Sequence, residues 1–285
     1  MNRRHLEQQV ALCAMYGALV MVVVSLLLII GVTVLRGGHV LVTRPEVVVT
    51  PPGPRYLLGG GGGFVHAILG SLYLVLPATL LASGIAMGIA LYLQSDYTSR
   101  RTAGAIRNLL DALWGTPSIV YGMFVLTILI SLQQRASLLA GIAALTLLEI
   151  PIIARYADAA VQAVPPMAKE TSYALGTTRW ENSQVVIRYA LPGIATGVLI
   201  GLGRGIGDAA SVIFTAGAGN NMPSGLLEGV TALPVLIFQQ ASSFYPSVRE
   251  QAYAASFVLI VILLVLNVAS RLVTNYFARY IPGGR

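Results

Sequence analysis

Apolar residues gather along the chain into six long runs, at roughly 9–35, 64–94, 105–132, 137–163, 190–216 and 251–277. Short polar or Pro/Gly-rich breaks separate them. A helix needs about 20 mostly apolar residues to cross a bilayer, and every run reaches that length. Six such runs cannot all be buried in a soluble core of 285 residues. The pattern therefore predicts an all-α membrane protein with six transmembrane helices. The first run follows Arg3 and Arg4 but is too long for a signal-peptide h-region and lacks a small-x-small cleavage site. It reads as a retained helix.

Composition agrees with that solvent. The chain is 56% hydrophobic and 10% charged, where soluble domains carry roughly 25% charged residues. So sparse a charge makes the net +7 a matter of placement, not a nucleic-acid footprint. With the N-terminus inside, the inner segments hold Arg3, Arg4, Arg100, Arg101, Arg107, Arg155, Lys169, Arg179, Arg188, Arg271, Arg279 and Arg285. The outer segments hold Arg36, Arg44, Arg55, Arg135 and Arg249. That asymmetry places both termini in the cytoplasm. The outer loop 36–63, ending in Gly59 to Gly63, reads as a flexible connection. The outer segment 217–249, with Pro234 and Pro246, is expected to dip back into the membrane. Cys13 is alone in an apolar run, which excludes an internal disulfide and leaves no metal cluster.

One segment does not fit a simple span. Between the fourth and fifth helices, Pro165 and Pro166 stop one helix, residues 167–175 carry helix formers, and Gly176 supplies a C-terminal stop. Physics alone leaves two readings: an interfacial connector, or a helix that docks on a soluble partner.

The residues here resemble a known family. Glu170-Thr171-Ser172, three residues and then Gly176 look like the coupling loop of ABC-importer permeases, where Glu-Ala-Ala precedes the glycine. Thr171 and Ser172 replace the two alanines. Pro117-Ser118-Ile119-Val120-Tyr121-Gly122, Ile150 to Arg155, Ala174 to Trp180, Gly203 to Asp208, Leu233 to Phe238 and Leu266 to Arg271 are together similar to the phosphate-permease branch, the PstA type. The resemblance covers roughly residues 65–272. It implies a type I ABC-importer permease fold: an N-terminal helix and outer loop over 1–62, then a permease domain over 63–278 with its coupling loop at 164–187. It also implies ATPase docking through Glu170, Thr171, Ser172, Ala174, Leu175 and Gly176. The implied partners are a homologous second permease, two ATPase subunits, an extracytoplasmic phosphate-binding protein and membrane lipid. The implied location is a bacterial or archaeal inner membrane. ATP and Mg²⁺ belong to the ATPase, because this chain lacks a Gly-x-x-x-x-Gly-Lys-Ser/Thr loop; no cofactor and no catalytic residue is assigned to it.

Charges inside the spans are expensive and demand a role. Arg204 lies about 14 residues into the fifth run, some 20 Å from its inner end, where a cation costs at least about 2.5 kcal/mol. Asp208, four residues on, is expected on the same face and within ion-pair reach. One reading is a structural staple. The resemblance supplies the other, an anion path through Arg155, Arg204 and Asp208, with Asp208 standing where the family has Glu. Arg suits such a path because its planar fork matches tetrahedral oxyanions and stays charged. Asp158 is expected to pair with Arg155, Asp111 to be a solvated charge opening the third helix, and Glu149 to be either a structural partner or part of the path. Gly193, Gly197, Gly201 and Gly205 form a stripe for close helix packing, either within the chain or, as the resemblance favours, at a seam between two permease chains. Two alternatives stay open: a permease for molybdate, tungstate, sulfate or phosphonate, and an ATP-independent channel or scaffold.

Overall fold

The computed structural model describes residues 3–278; Arg279 and Arg285 of the orientation count lie outside them. The chain folds into α1 (Arg3–Thr43), α2 (Val65–Tyr92), α3 (Arg100–Trp114), α4 (Ser118–Ser131), α5 (Leu138–Gln162), α6 (Pro166–Ala174), α7 (Arg179–Gly207), α8 (Leu233–Ala241) and α9 (Pro246–Ala278). Helices α1, α2, α5, α7 and α9 are long and apolar enough to span a membrane, and α3 with α4 forms a bent pair. Counted together they give the six crossings expected.

That bent pair corrects the third run. The chain turns by 95° between α3 and α4, because Pro117 cannot donate a backbone hydrogen bond and pushes Thr116 out of helical geometry. Ser99 caps α3 by accepting the N–H of Thr102 at 3.2 Å. The polar residues Arg100, Arg101, Arg107 and Asp111 all fall on α3, so the apolar crossing belongs to the 14-residue α4. At ~1.5 Å per residue α4 covers only about 21 Å.

Helix α5 is the hub, with α2 and α7 packed along it and α3 and α4 against its flanks. Leu145, Leu148, Ile152 and Ile153 are fully buried there. In contrast, α1 is bare over most of its length and joins the bundle through its last turns, where Gly37 lets it meet Tyr253 and Phe257 of α9.

Two expectations about the connections change. The loop after α1 is folded, not slack. Tyr56 and Phe64 are buried, Gly53 N–H donates to the Gly61 carbonyl at 3.2 Å, and Gly63 N–H donates to that of Pro51 at 3.1 Å. Gly62 sits at φ +97, where a Cβ would strike Gly53, so the glycines are there for turning. The fifth run is also shifted. A capping box of Thr178 and Glu181 starts α7 well before residue 190, and the helix stops at Gly207.

Residues 208–232 are largely non-helical yet enter the bundle. Ser211, Val212, Thr215, Ala216 and Val230 to Leu236 are buried. The start of α5 is closed by this segment: Ser137, Leu138 and Leu139 donate to the carbonyls of Thr215, Glu228 and Leu226 at 2.8 to 2.9 Å. Ser71 of α2 accepts the N–H of Leu233 at 2.7 Å. Irregular backbone is tolerated at membrane depth only when protein satisfies its polar groups in this way.

Candidate functional site

The glycine stripe sets the geometry of the centre. Gly193, Gly197, Gly201 and Gly205 all face α5 of the same chain, against Ala160, Tyr156, Ile153 and Glu149 in turn. The seam expected between two chains is thus an internal antiparallel seam between α7 and α5. At Gly193, Gly197 and Gly201 an added Cβ would land on a neighbouring side-chain carbon; at Gly205 it would land on the carboxyl of Glu149.

Glu149 is fully buried, and neither of its oxygens has a hydrogen-bond partner. Thr79 of α2, also buried, has an unpartnered hydroxyl as well. The sequence placed Glu149 deep in the fourth run but could not show that it faces glycines and apolar Val75 instead of an arginine.

Arg155 belongs to a charge cluster between α5 and α3. Asp158, 1% exposed, accepts two hydrogen bonds from Arg107, at 2.8 and 2.9 Å, and one from Gln162 at 2.7 Å. Arg155 stands 3.6 Å from the same carboxylate and 2.7 Å from Oδ1 of Asp111. The second contact is an ion contact without a directed N–H bond. The expected Arg155–Asp158 pair is therefore shared, with Arg107 as the main partner. Asp111 lies near the end of α3, in contact with Arg155, and is not the free charge expected at a helix start. Arg107 has no assigned partner at the level of sequence, because the angle that folds α3 back toward α5 cannot be read from a hydropathy run.

Arg204 and Asp208 separate. Helix α7 ends at Gly207, and Asp208 adopts extended backbone (φ −83, ψ 122), so the four-residue spacing no longer stacks the two side chains. Asp208 instead accepts the N–H of Ser211 at 2.8 Å and the Ser211 hydroxyl. Arg204 is exposed on α7, with no ion pair among the described residues. From the seam register, Arg204 is level with Glu149 and Arg155 is near Gly197. The two arginines thus stand about six residues, or ~9 Å, apart along the bundle.

At one end of the bundle, α6 leaves Val164 through Pro165 and ends at Gly176, whose φ of +81 is the left-handed stop that glycine adopts at low cost. Glu170, Thr171, Ala174 and Leu175 are exposed, as are Met167 and Trp180. Ser172 is not: it is buried, with its hydroxyl 2.8 Å from that of Thr177, and it shapes the turn. The α2–α3 loop cradles the helix. Lys169 donates to Gln94 at 3.2 Å, Tyr173 to Asp96 at 2.7 Å, and Tyr97 donates to the Arg179 carbonyl at 3.0 Å. Burial and the bond to Asp96 together raise the Tyr173 phenol above its ordinary range. Sequence reasoning missed this cradle, since Gln94, Asp96 and Tyr97 lie some 75 residues away in the chain.

No group of three His, Cys, Asp or Glu side chains among the described residues could hold a metal ion. The described side chains offer cations, buried carboxylates and a short helix with an exposed apolar face.

Comparison with known proteins places these features. The family model for the binding-protein-dependent transport system inner membrane component matches residues 84–281. The phosphate transport system permease protein PstA of Yersinia pestis is 33% identical over 214 residues, 75% of this chain and 72% of that protein. The probable phosphate transport system permease protein PstA of Methanocaldococcus jannaschii is 35% identical over 214 residues, 74% of this chain and 75% of that one. Among solved structures, an inward-facing MetNI methionine ABC transporter chain superposes with a TM-score of 0.62 at 20% identity. The match covers 75% of this chain and 95% of that one. An amino acid ABC transporter chain gives 0.53 at 19% identity, over 76% and 94%. At such identity the structures speak to the fold alone.

Proposed function

The chain belongs to the binding-protein-dependent transport system inner membrane component family, and from that membership we propose that it is a permease subunit of an ATP-driven importer of inorganic phosphate. The observation that carries the substrate is the match to phosphate permeases over three-quarters of the chain. The chemistry agrees, because Arg204 stands exposed in the apolar second half of α7 with no ion pair among the described residues, and such a cation needs an anionic partner.

In this reading the chain encloses half of a translocation path, and a homologous second permease supplies the other half. Two ATPase subunits, which bind ATP and Mg²⁺, lie beneath α6. A phosphate-binding protein delivers the anion at the opposite end, and both termini of this chain face the cytoplasm of a bacterial or archaeal cell. Arg204 meets phosphate first. Arg155 meets it about 9 Å further in, already shared between Asp111 and Asp158. A partly neutralised arginine binds more weakly than a free one, and a path needs that so the anion can leave. Asp208, turned to Ser211, positions the end of α7 instead of gating Arg204 directly.

The coupling helix fits the role mechanically. The exposed Met167, Leu175 and Trp180 give it an apolar contact face, and it lies between α5 and α7, which carry the two arginines. The glycine seam keeps those helices in close contact, so a push on α6 reaches both. The test is uptake of radiolabelled phosphate by the assembled complex with Arg204→Gln. Loss of transport with normal membrane levels supports the path; transport at the normal rate overturns it. A complex that assembles but moves only another oxyanion overturns the substrate and leaves the permease reading intact.

A further inference from the structure

A second basic site lies away from this path. The end of α1 and the start of α9 enclose a cavity of about 600 Å³, at the end of the bundle opposite α6. Arg36, His39 and Thr43 come from one stripe of α1 and Arg44 follows directly after its end, while Arg249, Glu250 and Tyr253 come from one stripe of α9. The close crossing at Gly37 holds the helices together at Tyr253. Arg36 is fixed over the Tyr253 ring, 5.1 Å from its centroid, and donates to its hydroxyl at 3.3 Å.

The charges here are not matched. Three guanidinium groups share the cavity with one carboxylate, and none has a carboxylate within ion-pair distance among the described residues. Arg249 occupies the first turn of α9, which has no acidic side chain. A cation there adds to the positive end of the helix dipole instead of offsetting it. Gathering these groups raises the free energy unless an anion joins them. Arginine forks favour phosphate oxygens. The position favours the same ligand: Arg36 ends the apolar run of α1, and the exposed Val34, Leu35 and Val42 flank it. The cavity therefore opens at the height where lipid headgroups begin.

We propose that this α1–α9 cavity is a binding site for a phosphate-bearing anion, either the headgroup of an acidic phospholipid or free phosphate, separate from the conduction path. The cavity's basic lining stands whichever anion the conduction path carries. The full-length chain, purified with the subunits that accompany it, is compared with R44Q/R249Q, which keeps the Arg36–Tyr253 contact. Native mass spectrometry reads retention of phosphatidylglycerol against phosphatidylcholine. Phosphorus NMR line broadening reads binding of inorganic phosphate. Removing two basic groups is expected to lower affinity about thirty-fold.

Selective retention of phosphatidylglycerol, lost in the variant, assigns the site to a headgroup. A phosphate response lost in the variant, without lipid preference, assigns it to the free anion. E250Q, which removes the lone carboxylate, is expected to raise affinity several-fold, a gain that misfolding does not produce. Equal behaviour of wild type and R44Q/R249Q toward both ligands overturns the site, as does unchanged or weaker binding in E250Q.

Discussion

The carboxyl of Glu149 on α5 occupies the notch that Gly205 leaves on α7, sealed from solvent and without a hydrogen-bond donor. An ionisable group in such a place contributes little to stability, since burial of an unpaired charge is costly. Glu149→Gln keeps the volume and removes the ionisable group. It is expected to be at least as stable as wild type, within about 1 kcal/mol or above it. Thermal unfolding in detergent measures this, and a loss well beyond that value would show that the carboxylate serves an ionised partner.

The same notch makes a prediction about its other wall. Gly205→Ala drives a methyl group into the carboxyl, whereas Gly203→Ala meets open space. The first should cost about 1–3 kcal/mol, as overpacking does, and the second much less. Combined with Glu149→Ala, Gly205→Ala should lose most of its cost, a coupling that a double-mutant cycle reads directly. Additive costs would place the strain elsewhere.

Asp158 ties α3 to α5, whereas Asp111 touches the same cluster from a half-exposed position. Removing one partner of a buried pair typically costs about 3–5 kcal/mol, and exposed pairs are worth about 0–1 kcal/mol. Asp158→Ala is therefore expected to destabilise the chain severely, and Asp111→Asn mildly. Expression level and melting temperature of the two variants separate them; equal effects would contradict the hierarchy of contacts.

At the α6 end, Leu175→Glu places a charge on a side chain that is 80% exposed; if α6 docks the ATPase as proposed, the fold should stay intact while the ATPase subunit no longer co-purifies. Gly176→Ala is a different test. The residue has open space around it but a φ of +81, so the strain alone should cost about 1 kcal/mol. If Leu175→Glu retains the ATPase at wild-type level, α6 is not the docking surface.

Hydropathy reveals the crossings because lipid imposes a length on each. Gly176 marks the end of α6 because few other residues take its backbone angles. Periodicity misleads where a helix stops: the Arg204–Asp208 pair assumed a helix that ends at Gly207. Pro117 marks a break in the third run, but its 95° angle is not legible in hydropathy, because α4 is apolar enough to complete a run begun by the amphipathic α3. The start of α7 was missed because Arg179 to Tyr189 is polar, and the capping box at Thr178 and Glu181 specifies that helix without hydrophobicity. The partners of Asp158 and Tyr173 depend on tertiary contacts across more than 50 residues. No local pattern encodes those contacts.

The glycine seam also limits how the molecule can move. Its notches recur every four residues, about 6 Å apart, and each holds a particular side chain of α5. A small slide of one helix past the other would lift every tooth out of its notch at once. Only a jump of a full tooth would seat them again. Any opening or closing would therefore carry α5 and α7 together as one locked gear pair, with the play taken up at their ends.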